Sequence, residues 1–471
     1  NERNTWGPEE KPISLPPVRV VTREAPILPS IAQEPILMLD RLFPDLHQFN
    51  IPTAYRLRGP LNLAALKQSL TRLIERHEAL RTVFPMEDGK HHQSILKSLS
   101  INLEVIDLHE LPETERAAKA TELSREESQR SFDLARGPLF RVKVFRLSDD
   151  DHILVVTLHH VISDSWSMML FFRDLAELYD SILHGYQSRL PDLSIQYVDF
   201  TLWQREVLQE GLMDGQLSYW KRRLSEPLTP LKFSSGFLQN DEMSFFTARK
   251  GISISGKLFH SVKTLARQER TTPFVVLLTV LNILLSRYLG QEDIRVGTIV
   301  ANRHRNEVEN LIGHFANTVI LRTRISENLN FRKLAQLVRE ITVSAYSNQD
   351  IPFEVLLQTF ENETRIRCDM LSPVLFIFRG EPQPINLANL MFSVLDEFQS
   401  TTAPEVALTM FDLVLSVKQR SEGLTGFFVY KMFVFDEMMV DGFIRNFKNL
   451  LERIVCEPNE SVSALFSLIE I

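Results

Sequence analysis

Between Thr53 and Arg58 apolar and polar residues alternate as in a half-buried strand, and Gly59-Pro60 breaks the run. From about Asn62 the period changes, and Leu63, Leu66, Leu70, Leu73 and Ile74 fall on one face of a helix. Its last turn carries Arg76, His77, Glu78 and Arg81, where basic groups suit the helix dipole, so Arg76 and His77 are read as structural at least as readily as a site. Residues 139–147 and 152–160 predict two apolar strands around the polar turn Ser148-Asp149-Asp150-Asp151, a hairpin-like pair. From Ser167 a helix runs through Leu170, Phe171, Leu175, Leu178 and Tyr179 to His184-Gly185.

A second progression follows. Thr272-Pro273 and Gly290 mark the ends of a helix whose apolar run, 274–285, is interrupted by Thr279 and Asn282. It falls short of the roughly 20 residues that cross a bilayer, and reads as a buried core helix. Strands are expected at 294–300, 318–323, 374–378, 413–417 and 426–433, with helices at 331–346 and 440–454. No sequence repeat is visible, yet both halves mix strands and helices in comparable proportion. The expected fold class is α/β (α+β), with lobes at 27–185 and 195–471 joined between about 185 and 200.

Length agrees with two lobes, since 471 residues exceed what one core usually serves. Composition is that of an ordinary globular protein, 44% hydrophobic and 24% charged. A net charge of −8 argues against a phosphate-backbone partner, so nucleic acid is not expected. Cys368 and Cys456 have no metal-like spacing and suggest no disulfide framework, which fits a reducing cytoplasm. No signal peptide or membrane segment is apparent. Six prolines among charged residues in 1–29 have the composition of an interdomain linker over 1–26, as in a piece of a longer chain.

Candidate chemistry gathers at His159 and His160, which end the stretch Ile153-Leu154-Val155-Val156-Thr157-Leu158 and precede Val161-Ile162-Ser163-Asp164-Ser165-Trp166-Ser167. An imidazole delivered there by a strand can move protons near neutral pH. The ordinary alternative is a packed core histidine. Alternate strand residues face opposite sides, so only one of the pair points into a shared cleft. The same divergence disfavours a metal on His159, His160 and Asp164. Gly251 to Lys257 has the glycine and lysine spacing of a phosphate loop, but Leu258 stands where Ser or Thr is needed, and the segment alternates like a strand. Neither a Gly-x-Ser-x-Gly elbow nor a dinucleotide-type Gly-x-Gly-x-x-Gly occurs.

His159 to Ser167 resembles the HHxxxDG signature of condensation domains from non-ribosomal peptide synthetases. Ser30-Ile31-Ala32-Gln33 resembles the family's opening motif, and Arg76 to Phe84 its RHExLRTxF stretch. Tyr197-Val198-Asp199-Phe200 with Trp203, the IGxFxNT-like Ile312 to Thr318, and Asp350-Ile351-Pro352-Phe353-Glu354 follow in the family's order. Three departures occur: Ser165 replaces the usual glycine, Pro35 and Leu37 replace arginine and tryptophan, and Cys368 replaces an aspartate after Arg367. Ser165 is expected to add a side chain at the mouth of the site and to restrict the backbone there.

The resemblance implies two chloramphenicol-acetyltransferase-like lobes forming a V-shaped pseudo-dimer, with the site at their junction. It implies amide formation between a donor thioester and the α-amine of an aminoacyl thioester, each on the 4′-phosphopantetheine of a carrier protein, with an adenylation domain as neighbour. No cofactor of the domain's own and no membrane are implied, and a monomer is expected of the isolated domain. His160 is implied as the catalytic group with His159 in support, and Asp164 as a structural ion pair whose candidate partner is Arg303. Asn317 is a candidate hydrogen-bond donor to substrate, and the amides near Ser165 and Trp166 candidates for the oxyanion. The lack of an Asp-x-x-x-x-Asp replacement speaks against a heterocyclising member, and 76–84 suggests an L-configured or non-peptide acyl donor. A silent domain recruiting carrier or tailoring proteins and a coenzyme A-dependent acyltransferase are the competing expectations.

Overall fold

The computed structural model describes residues 15–23, 26–43, 47–224, 228, 231, 233, 247–364, 371–381, 386–387, 390–395 and 411–470. Arg367 and Cys368 lie outside them.

Helix α1 (Glu34–Leu42) is followed by β1 (Asn50–Arg58) and α2 (Leu63–Arg76). The Asn62 side chain accepts the Ala65 amide and so starts α2, which buries Leu66, Leu70, Leu73 and Ile74 on one face. Strands β2 (Thr82–Val83), β3 (Met86–Glu87), β4 (Lys90–His91) and β5 (Ser94–Ile95) form two small pairs. Then come β6 (Glu104–Asp107), α3 (Glu113–Ser128), the hairpin of β7 (Phe140–Ser148) and β8 (Asp151–His159), and α4 (Ser165–His184). Asp164 caps α4 by accepting the Ser167 amide, and Gly185 ends it at φ 71°, a conformation that favours glycine.

The second half holds α5 (Tyr197–Gln209), α6 (Asp214–Leu224), β9 (Thr247–Ser255), α7 (Gly256–Gln268) and α8 (Pro273–Leu289). The segment with phosphate-loop spacing is thus strand β9 running into α7, paired along its length with a neighbouring strand. Helix α8 is capped by Thr272 and closed by Gly290, and it is buried nearly all round. No single helix among the described residues is long and apolar enough to cross a membrane. Next are β10 (Asp293–Val300), β11 (Asn317–Arg324), α9 (Phe331–Ser347), α10 (Phe353–Thr364) and β12 (Val374–Arg379). The chain ends with β13 (Asn386–Leu387), β14 (Leu390–Val394), β15 (Leu413–Arg420), β16 (Gly423–Lys431), α11 (Glu437–Cys456) and α12 (Val462–Phe466).

Two six-stranded sheets organise these elements, in the orders β13-β14-β1-β8-β7-β6 and β11-β10-β12-β15-β16-β9. Within each lies the same four-stranded unit. β1 and β8 pair antiparallel as β9 and β16 do, the hairpins β7-β8 and β15-β16 correspond, and β6 lies parallel to β7 as β12 lies parallel to β15. Asn50 faces His159 at the end of one ladder, and Thr247 faces Lys431 at the end of the other. From those ends each chain makes a short turn to an aspartate cap, Asp164 or Asp436, and then a helix of 20 residues. This is the repeat a pseudo-dimer requires, carried by backbone register while the residues differ.

Two features depart from the pattern reading. β13 and β14, expected in the second lobe, complete the first sheet, where Val394 to Met391 pair with Tyr55 to Arg58. Residues 15–23, read as linker, are bound in place. Leu15 and Val18 are buried, the Trp203 indole donates to the Pro16 carbonyl at 3.0 Å, the Val21 amide donates to Asp199 at 3.2 Å, and Arg23 meets Glu78 at 2.8 Å. Two buried apolar residues between prolines have no period to detect.

Candidate active site

β8 ends at His159, and His160 opens one 3-10 turn, His160–Ile162, rather than continuing the strand. Its amide donates to the Phe49 carbonyl at 2.8 Å. The two imidazoles therefore enter different surroundings. His159 is buried beside the rings of Phe49 and Phe132, with centroids 6.0 and 5.8 Å away. Its Nδ1 accepts the Val161 amide at 3.3 Å, which leaves the proton on Nε2. Burial pushes its pKa down to about 3.

His160 is half-buried, and its Nδ1 lies 2.6 Å from the Ser163 carbonyl. A carbonyl only accepts, so Nδ1 carries the hydrogen and Nε2 keeps its lone pair. Burial holds the His160 pKa below the ordinary value, against the opposing pull of the Ser163 carbonyl and Asp164. At neutral pH the ring is an uncharged base. His314 stands edge-on to it, centroids 4.5 Å apart at 83°. Burial first and His160 second push His314 to about 3.

Asp164 is buried and saturated. It accepts the Ser167 amide at 2.7 Å and the Phe315 amide at 3.1 Å, and its two oxygens lie 3.2 and 3.4 Å from Nη2 of Arg303. Burial would raise its pKa, but Arg303 and the Ser167 hydrogen bonds outweigh that and keep it low. Arg303 also donates to the Val308 carbonyl at 3.0 Å, the Leu311 carbonyl at 2.5 Å and the Ser167 hydroxyl at 2.9 Å, and it covers the Phe315 ring at 4.1 Å. The ion pair thus ties the turn after β8 to the loop between β10 and β11. Tyr197 reinforces that tie, for its hydroxyl donates to the His314 carbonyl at 2.7 Å and accepts from Ser30 at 2.8 Å. A Cβ on Gly313 would come within 2.0 Å of the Tyr197 ring, so only glycine fits there. Gln33 donates to the Val161 carbonyl at 2.7 Å, which gives the opening motif a physical task beside the His160 turn.

Other expected residues fare differently. Asn317 is not free to donate to substrate: both amide hydrogens are engaged, by Gln349 and Ile351 carbonyls at 2.8 Å each, and its oxygen accepts the Thr318 and Phe353 amides. Ser165 is the exposed first residue of α4, which begins earlier than expected. It is absent from the positive-φ positions, so its side chain imposes no backbone strain. The Trp166 indole donates to the Glu309 carbonyl at 3.0 Å, a further bond between the halves. Arg76 and His77 belong elsewhere, clasping buried Asp174 at 3.1 and 2.9 Å.

A family model for the condensation domain matches residues 23–470. The chain belongs to the condensation-domain family. It is 37% identical to a linear gramicidin synthase protein of Brevibacillus parabrevis over 94% of this chain and 8% of that protein. It is 35% identical to the phosphinothricin tripeptide synthetase PhsC of Streptomyces viridochromogenes over 94% of this chain and 40% of that one. The condensation domain thus spans less than half of either relative. Among solved structures it resembles the X-domain in the complex with OxyB from teicoplanin biosynthesis, at 25% identity and a TM-score of 0.77, covering 96% of this chain and 98% of that one. The first condensation domain of the calcium-dependent antibiotic synthetase shares the fold at 16% identity, with a TM-score of 0.75 over 94% of this chain and 99% of that one. These likenesses agree with the pseudo-dimer of acetyltransferase-like lobes.

His314 was not singled out from sequence. It occupies a variable place within the IGxFxNT-like segment, and only the fold brings it against His160.

Proposed function

We propose that this condensation domain joins a carrier-bound acyl or peptidyl thioester to the α-amine of a carrier-bound aminoacyl thioester, releasing the donor's thiol. The observation that carries this reading is the His160 ring, uncharged and half-exposed, with Nδ1–H tied to Ser163 and Nε2 left with its lone pair. A thioester already has a good leaving group, so the main task is to orient amine and carbonyl. An α-amine, with a pKa of about 8, keeps a neutral fraction near pH 7 that attacks the carbonyl. The nitrogen then becomes cationic, Nε2 of His160 takes its proton, and the proton leaves with the thiolate as the intermediate collapses. Asp164 and Arg303 hold the turn rather than touch the reacting atoms.

Both substrates would arrive on the 4′-phosphopantetheine of donor and acceptor carrier proteins, beside an adenylation domain in a cytoplasmic assembly, the chain itself acting as a monomeric unit with no cofactor of its own. Membership in the family and relatives that are peptide synthetases support this. The likeness to the X-domain solved with OxyB favours a second reading, in which the domain recruits a partner without catalysis.

The test uses loaded donor and acceptor carriers, with intact-mass measurement of the acceptor. His160→Ala is expected to lower the rate by roughly 10²- to 10⁴-fold while circular dichroism is unchanged. Equal product from the variant overturns the assignment. Absence of product from both proteins, with retained binding of a partner enzyme, favours recruitment.

A further inference from the structure

Arg379, at the end of β12, belongs to none of the motifs above. β12 runs parallel to β10, with Leu375 opposite Gly297 and the Thr298 hydroxyl donating to the Phe376 carbonyl at 2.8 Å. Both strands therefore leave the second sheet at one end, the end from which β10 continues to Arg303 and its contact with Asp164. Alternation puts Arg379 on the same face of β12 as Leu375 and Ile377. That face carries the small apolar group of Leu375, Phe411, Val414 and Val429, while Phe376 on the other face stacks on Phe274 of α8.

The charge of the guanidinium acts against protonation of the His160 ring. It has no hydrogen-bond or ion-pair partner among the described residues, and burial alone pulls its pKa down. Arg303 and Arg322, by contrast, are held by Asp164 and Asp293. Asp164 has no acceptor capacity left for a second arginine, being saturated by Arg303 and the Ser167 and Phe315 amides. Keeping a crowded guanidinium unpaired is costly, and an incoming anion relieves that cost. Arg379 is only half-buried, so an incoming group can reach it. The phosphate of a carrier arm is excluded as that anion, because the whole pantetheine chain separates it from the thioester at His160.

We propose that Arg379 binds a carboxylate borne by one of the two condensing acyl groups and so makes this domain selective for an acidic substrate. The planar guanidinium offers a fork of donors that matches a carboxylate. This rests on the condensation reading, and it names the substrate class that reading leaves open.

The experiment has a turnover arm and a binding arm. In the first, N-acetylcysteamine thioesters are compared in pairs: aspartyl against asparaginyl as acceptor with a neutral donor, and succinyl against succinamyl as donor with a neutral acceptor. A preference for the acid of roughly 10- to 100-fold in kcat/KM is expected on one side, which identifies whether donor or acceptor carries the carboxylate. Arg379→Gln should collapse that ratio toward one, and Arg379→Lys should keep part of it. The ratio is internal to each protein, so a partial loss of folding does not imitate the effect. In the second arm, unreactive thioether analogues of the same four groups are titrated calorimetrically into wild type and Arg379→Gln. Acid-selective binding without turnover from any pair would defeat the condensation reading and leave the carboxylate site standing. Equal affinity and equal turnover for acid and amide on both sides, or a preference that survives Arg379→Gln, overturns the proposal.

Discussion

The turn from β8 into α4 and the turn from β16 into α11 are the same piece of backbone used twice, with different chemistry. In the first, His160 heads the turn and Asp164 caps the helix, tied to Arg303, Ser167 and Phe315. In the second, Met432 holds the corresponding place with 52% of its surface exposed, and among the described residues the Asp436 side chain accepts only the Met439 amide, at 2.7 Å. A helix cap is thus the common ground. What the first copy adds is contact with the other half of the chain, and that contact converts a capping aspartate into the anchor of a site.

The largest effect is expected from the residues that head the two turns: His160→Ala should lose roughly 10²- to 10⁴-fold in rate, while Met432→Ala should leave kcat/KM within about twofold of wild type. A comparable loss from both would mean that the two turns are not divided in function. Next come the caps. Asp164→Ala strands a buried guanidinium and should cost about 3–5 kcal/mol in urea unfolding, whereas Asp436→Ala removes only a cap, at about 1 kcal/mol. Similar losses would sink the claim that the ion pair sets Asp164 apart.

Acid should separate the copies as well. His159 and His314 titrate near 3 in the folded protein, and burial is the main cause in each. Below about 6.5 the unfolded chain binds protons on both that the folded chain refuses. Stability is therefore full above that pH and declines as pH falls toward 3, by about 1.4 kcal/mol per unit for each histidine. His159→Phe should flatten the slope of unfolding free energy against pH by one proton. Lys431, the counterpart of His159, is instead paired with a carboxylate, Asp412, at 2.9 Å. An unaltered slope in His159→Phe would refute the assignment. The smallest effect belongs to Ser165→Gly, which restores the usual family residue at the first position of α4 and should lower stability by no more than about 1 kcal/mol. A gain in thermal stability there would show strain that the helical backbone does not reveal.

Much of this architecture was legible in the amino-acid pattern, wherever an element had one buried face or clear ends. α2 declares itself through Asn62 and its leucine stripe, α8 through Thr272-Pro273 and Gly290, and the hairpin of β7 and β8 through its acidic turn. α5 escaped notice because Tyr197, Val198, Asp199, Phe200, Thr201, Trp203 and Gln204 are all buried, so polar and apolar residues share one interior and no stripe appears. The internal repeat was invisible for a related reason. Pairing register is a property of backbone geometry, and His159 with Lys431 or His160 with Met432 satisfies it equally. At the site, the motif pointed to His160 and Asp164, and the family resemblance supplied Arg303 as the candidate partner of Asp164, which the structure pairs with it. The reading of Asn317 failed because an amide can serve the loop at 349–353 as fully as it could serve a substrate. Arg379 carried no sequence signal at all, since its meaning lies in having no partner among the described residues.

The crossing of β14 into the first sheet has a practical side. Because residues 390–395 are stitched to β1, the two halves are bound by covalent order as well as by packing, and a cut near 185–195 does not divide the protein into modules. A fragment ending there would present the β1 edge bare, an invitation to stick to other chains. Anyone exchanging lobes between relatives would have to move this strand with the first lobe, making the transplant a two-segment graft.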